Sequence, residues 1–213
     1  TQRATQNTKF FVYRNREFPF NFDLMKQNSL YFYEYRKLYK NANLINLLSN
    51  DEERAIELSD SIIETFIRCC QDQQFQIDIS NIMPLQYLAY KFKVTQLITI
   101  TDDYIASKWK NLVFQSLFFK LQLSSNLNNF EDNIKQDFYD TTKEEDYLSS
   151  NINNFIDKKQ LLSLSIPILD RIFQKLTKDA DIEKVINFLF KCLDKYGRIA
   201  SVLFSYVDFK QQR

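Results

Sequence analysis

The chain has 213 residues, 45% hydrophobic and 26% charged, which is enough apolar material for a packed core and a length suited to one or two domains. With 28 basic and 27 acidic residues the net charge is +1, without the basic excess or stripe of a nucleic-acid binder. There is no His and a single Gly, Gly197, which removes His-activated nucleophiles, the commonest transition-metal ligand and any glycine-rich phosphate loop. Carboxylate or lysine chemistry stays formally open, but no spacing points to it, and no catalytic residue, metal or cofactor is expected. The basic residues near the start, Arg3, Lys9, Arg14 and Arg16, read as a solvated face. Cys69, Cys70 and Cys192 are odd in number and form no spaced framework, so they read as reduced thiols on core or helix faces. A cytoplasmic or nuclear location is the expectation. No apolar run reaches the ~18–20 residues of a membrane span, and TQRATQNTKF lacks the apolar segment of a signal peptide. The chain starts without Met and ends on a charged tail, so it is expected to be a piece of a longer protein.

Residues 1–8 are polar. Phe10–Tyr13 (FFVY) and Glu17–Phe20 predict two short strands joined by a turn at Asn15. Pro19 restricts the second to an edge or an end. Phe22–Asn28 predicts a short helix with Asp23 in its first turn. Ser29–Leu48 is aromatic-rich, and Phe32, Tyr35, Arg36 and Tyr39 have helical spacing. Such a stripe usually faces a core; a surface for a partner is the alternative. Asn50–Glu53 reads as a polar loop and Ala55–Leu58 as a strand. The next helix carries Ile62, Ile63, Phe66, Ile67 and Cys70, with Ser61 and Glu64 at capping-box spacing. Phe75, Ile77 and Ile79 alternate with polar residues and predict another strand. Asn81 is placed as a helix cap, with Pro84 in the first turn and Leu85, Leu88, Ala89 and Phe92 facing inward. A further helix is expected after Val94 and Leu97, to about Lys108.

From Trp109 helical periodicity takes over. Leu112, Val113, Leu117, Phe118 and Leu121 form one stripe, and Leu123–Asn129 is a polar interruption. Phe130–Asp146 is acidic and weakly periodic, and the stretch around 123–147 is expected to be mobile in part. Helical patterns follow at Ile152–Ile156, Leu161–Phe173 and Ile182–Tyr196. Pro167 belongs to a first turn, Asp179–Asp181 caps the last helix, and Gly197 ends it. Ile199–Phe209 is apolar enough to pack as a final element.

The segments KFFVYRNREFPFNFDLMKQNSLYFYEY, RAIELSDSIIETFIRCCQDQQFQID and NIMPLQYLAYKFKVTQLITITDDYI resemble the BTB/POZ domain in their order of strands and helices. That covers residues 9–108. The His usual after the family's second strand is Asn21 here, and the usual Asp in the loop before the helix has no counterpart. Residues 109–213 are similar to the BACK-type helical region that often follows such a domain. The pair is also similar to BTB-like units on the N-terminal side of some protist ankyrin-repeat proteins, though this chain carries no ankyrin repeat. The expected fold is therefore α+β and predominantly helical, a small sheet flanked by helices followed by an all-α region.

The resemblance implies a non-enzymatic protein–protein interaction module that associates with itself, as a homodimer, or recruits another protein. An alternative is a substrate adaptor on a cullin-type ubiquitin ligase scaffold, although Asp72–Gln74 lacks the hydrophobic-x-Glu pattern of many such adaptors. The interface candidates are Phe10, Val12, Phe18, Tyr31, Phe32, Tyr35 and Trp109, the last also weighed as a core residue between the two halves. The acidic groups Glu52, Glu53 and Glu57, Asp102 and Asp103, and Glu144 to Asp146 read as solvated turns. Neither nucleic acid nor membrane is an expected partner.

Overall fold

The computed structural model describes residues 7–109, 114–126 and 140–207. It is α+β and predominantly helical, with one three-stranded mixed sheet. The chain divides into two compact units, and the division runs through one helix, between Phe119 and Lys120.

The first unit opens on a hairpin. Strands β1 (Thr8–Tyr13) and β2 (Arg16–Asn21) pair antiparallel, with Tyr13 opposite Arg16. The two turn residues, Arg14 and Asn15, have φ of 46° and 62°. Positive φ at both central positions is what a two-residue turn between twisted strands requires, and Asn tolerates it well. Pro19 lies on β2, an edge strand, since the sheet order is β2-β1-β3. Asn21 closes β2 and caps α1 (Phe22–Asn28), its side chain accepting from the N–H groups of Asp23 and Leu24. Ser29 then caps α2 (Leu30–Glu34) and donates its hydroxyl to Phe92 O at 2.5 Å.

The third strand is not where alternation placed it. Strand β3 is Leu44–Asn46 and runs parallel to β1, inside the stretch whose aromatic spacing was helical. Three residues are too few for a periodic signal, and the pairing rests on long-range bonds such as Phe10 N to Asn43 O and Leu47 N to Val12 O. The spacing held only in part: Phe32 is buried and meets Tyr39 at 5.6 Å between ring centroids, but Tyr35 and Arg36 are exposed because the regular helix stops at Glu34.

Asn50–Glu53 belongs to a helix, α3 (Asn50–Ala55), not a loop. A capping box starts it: Ser49 Oγ accepts from Glu52 N, and Glu52 Oε2 accepts from Ser49 N at 2.6 Å. Residues 56–58 are irregular instead of forming a strand. Ile56 N–H closes α3 on Glu52 O, and Leu58 N–H donates to the buried Tyr13 hydroxyl at 2.9 Å, so these groups are satisfied without a neighbouring strand. Helix α4 (Asp60–Cys70) starts one residue before Ser61, so the Ser61–Glu64 box does not form; Ser61 Oγ bonds Ser59 Oγ instead. Residues 73–78 are likewise irregular, although Phe75, Ile77 and Ile79 are half-buried between exposed neighbours. Helices α5 (Ile82–Lys91) and α6 (Thr95–Lys108) follow as expected, with Pro84 in the first turn of α5.

The core of this unit is aromatic. Phe11 stacks on Phe20 at 4.3 Å and Phe32 on Phe92 at 5.4 Å, while Phe66 meets both Phe11 and Phe92. One buried ion pair ties α3 to α5: Lys91 Nζ lies 2.6 Å from Glu52 Oε1, which also accepts from the Tyr87 hydroxyl. Glu52 is thus a buried anchor and not part of a solvated turn.

Helix α7 (Phe114–Asn126) spans the division, with Leu117 and Phe118 buried before it and Leu121 and Leu123 buried after it. The predicted polar interruption at Leu123 is therefore still helix as far as Asn126. The second unit continues with α8 (Thr142–Ser150), α9 (Ile152–Phe155), α10 (Lys159–Leu162), α11 (Ile166–Gln174) and α12 (Ile182–Tyr196), then a 3₁₀ helix, Gly197–Tyr206. Residues 142–147, expected within a mobile stretch, are helical. Leu112, Val113, Phe130 and Phe209 lie outside the described residues. Phe173 stacks on Phe188 at 5.7 Å in the core. Glu144 and Glu145, like Glu52, are buried and not solvated. Glu145 accepts from Thr141 at 2.6 Å and from Arg171 Nε at 2.9 Å, and Glu144 faces Lys120 at 3.4 Å.

Candidate interaction surface

In the sheet of the first unit, successive residues point to opposite faces. Phe11, Tyr13, Phe18, Phe20 and Ile45 go inward and are buried. The outward residues form rows set by the register. Phe10 lies opposite Pro19 on β2 and opposite Leu44 on β3, and Val12 lies opposite Glu17 and Asn46. A single apolar row, Pro19–Phe10–Leu44, therefore crosses all three strands on the face turned from the core. Phe10 and Val12 are half-buried, and Leu44 is 54% exposed. The solvated face of such a sheet is ordinarily polar.

The other candidates separate by burial. Phe18 and Phe32 are core residues. A buried ring meets no partner without opening the core, so neither belongs to this surface. Tyr31 is half-buried, its hydroxyl hydrogen-bonded with that of Tyr39 at 2.9 Å, while Tyr35 is exposed. Trp109 is half-buried at the end of α6, within the first unit. Leu30 and Leu44, which residue types had not singled out, are exposed, as are Tyr33 and Leu38 within the aromatic-rich stretch. Five of the eight exposed large apolar side chains among the described residues fall between Leu30 and Leu44. For Leu44 the missing signal was the strand itself, without which its outward direction was not legible.

A groove of about 1060 Å³ lies between α4 and residues 72–81, lined by Ser61, Thr65, Arg68, Gln74 and Asp78 among others. Its Asp78 carboxylate accepts from the Ser80 hydroxyl and from the N–H groups of Ser80 and Asn81, bonds that hold it below the usual carboxylate range. It is committed to a local turn. The thiols are buried as well: burial pushes Cys69 up to about 11 and Cys192 to about 12, and Cys70 well above its ordinary value. Thiols so shifted carry almost no nucleophilic thiolate near neutral pH. Among the described residues no group of three His, Cys, Asp or Glu side chains is placed to hold a metal ion, and no helix is long and apolar enough to cross a membrane. The chain matches no protein-family model and no curated protein, so what these surfaces do is read from their own geometry.

Proposed function

We propose that this chain is a non-enzymatic protein–protein interaction module, and that its first unit joins a second copy of itself through the outer face of the sheet. The observation that carries this reading is the Pro19–Phe10–Leu44 row, an apolar line on the sheet face away from the core. Apolar surface gathered on one face marks an interaction site more often than chance exposure does. Leu30, Tyr33 and Leu38 add exposed apolar area on and just after α2 in the same unit.

Kinship with BTB/POZ domains is part of the proposal. The run β1, β2, α1, α2, β3, then α4 and the α5–α6 pair supports it. Helix α3 and the irregular residues 73–78 depart from the expected order. The second reading, an adaptor on a cullin-type scaffold, draws on the helical second unit. A pull-down with a cullin scaffold tests it: retention favours the adaptor, and its absence leaves self-association as the reading.

Light scattering across a concentration series tests the main proposal. The wild-type chain is expected to run as a dimer that dissociates on dilution. Leu44→Lys, which sets a charge on an exposed strand position, is expected to run as a monomer with unchanged circular dichroism. A strictly monomeric wild type at high concentration would overturn the reading.

A further inference from the structure

A second feature of the first unit is independent of the sheet face. A pocket of about 470 Å³ opens between the residue before β1, α1 and the turns after α2, lined by Asn7, Phe22, Lys26, Arg36, Lys37 and Lys40. Four of the six described residues that line it are cations. Behind it sits a fifth, Lys9, whose side chain bonds the backbone of the same turns. Lys9 is only 3% exposed and forms no ion pair with a carboxylate among the described residues. Its ammonium donates to Ala42 O at 2.5 Å and to Lys40 O at 3.3 Å and lies 4.7 Å from the centre of the Phe22 ring. Burying an ammonium without a counter-ion is costly. Burial, with the Lys26 charge nearby, pulls the Lys9 pKa below its ordinary value.

The carboxylate beside the pocket, Asp23, is already engaged. Lys26 pairs with it at 2.7 Å and the Asn7 amide donates to both its oxygens at 3.2 Å. Arg36 lies over the Tyr33 ring at 4.4 Å and donates to Tyr33 O. Lys37 and Lys40 are exposed, and neither forms an ion pair among the described residues. In a chain of net charge +1, this is a concentrated positive field over a concave site. Such fields gather anions.

We propose that this pocket binds a compact polyanion carrying two or more phosphate groups. The number of cations matches more than one anionic charge. Lysines act as point charges that suit phosphate oxygens from several directions, whereas a lone carboxylate is better matched by a single arginine fork. The volume falls within the range of small-ligand pockets, roughly 300–1,000 Å³. The same chemistry is offered by a free polyphosphate and by a phosphoinositide headgroup.

Calorimetric titration of the full chain at physiological salt tests the proposal, with inositol hexakisphosphate, pyrophosphate and inorganic phosphate as probes. Saturable binding of the first two at one site per chain is expected, with inorganic phosphate weaker. Lys37→Gln with Lys40→Gln should weaken binding by roughly tenfold or more, a loss of about 1.4 kcal/mol. Both lysines are exposed and unpaired, so circular dichroism should be unchanged. The corresponding Arg pair should retain affinity, and Lys178→Gln in the second unit should have no effect. Vesicles of phosphatidylcholine containing phosphatidylinositol bisphosphate distinguish the source. Binding to them as well as to soluble probes assigns a headgroup, and binding to soluble probes alone assigns a free ligand. Absence of saturable polyphosphate binding, equal affinity in the Gln pair, or tighter binding to duplex nucleic acid would each overturn the proposal.

Discussion

Lys91 and Glu52 illustrate how much a single buried charge depends on its partner. Burial alone would push the Glu52 carboxyl up, but the Lys91 ammonium, with bonds from Lys91, Tyr87 and Ser49, outweighs it and holds the group below its ordinary value. A carboxyl with a depressed folded pKa stabilises the fold above the unfolded value of 4.5, and that contribution is lost as the pH falls through the folded value. Lys91→Met leaves a buried carboxylate without its cation and should cost about 3–5 kcal/mol at neutral pH. Urea unfolding of the two proteins measures this, and the gap between them should narrow in acid, where Glu52 is protonated in both. None of this was legible in the acidic run at residues 51–53. Charge spacing reads an exposed helix face well, but it cannot say that Glu52 turns inward, because the partner is 39 residues away. The Ser49–Glu52 spacing was the available signal, since a capping box brings the Glu side chain back over its own helix start. Glu144 and Glu145 repeat the lesson, their cations Lys120 and Arg171 lying on other helices.

Among the elements, those with local start and stop signals followed the sequence most closely. Helix α12 runs from its Asp181 cap, whose side chain accepts from Lys184 N, to Tyr196, where the predicted pattern ended. Gly197 ends it with φ +65° and ψ −149°, a region that essentially only glycine occupies, rather than the left-handed helical conformation that terminators usually adopt. A Cβ there would meet no atom within 4 Å, so the requirement is purely one of backbone conformation. Gly197→Ala should cost about 1–3 kcal/mol, read as a lower midpoint of thermal or urea unfolding. A cost below a few tenths would mean that the backbone relaxes. The strands behaved differently. The β1–β2 hairpin is local and was legible from FFVY, Asn15 and Pro19. Ala55–Leu58 and Phe75–Ile79 alternate just as well yet form no strand, because alternation reports one buried side and not the presence of a neighbouring strand. Burial does alternate at Ile56–Leu58 and at Phe75–Ile79, so the pattern is sound and only its translation into a strand was wrong.

At the scale of the whole molecule the thiols report on both cores. Cys69 and Cys70 belong to the first unit and Cys192 to the second, and all three are buried with raised pKa values. A thiol reagent at mildly alkaline pH should therefore label native protein slowly and all three sites promptly in denaturant, with mass spectrometry assigning each modification. Fast native labelling of Cys192 would show that the second core opens readily. The sequence by itself determined the α+β character, the helical second half, the hairpin and the limits of helices such as α1 and α12. All of these rest on local periodicity, caps and turns, which act within a few residues of one another. The tertiary structure alone decided the parallel pairing of β3, the burial of Lys9, Glu52 and Glu144, and the apolar row on the sheet's outer face. Each depends on residues distant in the chain. A strand partner, a counter-ion or an outward direction exists only once the intervening chain has folded back, and nothing in the local sequence marks which distant residue will be there.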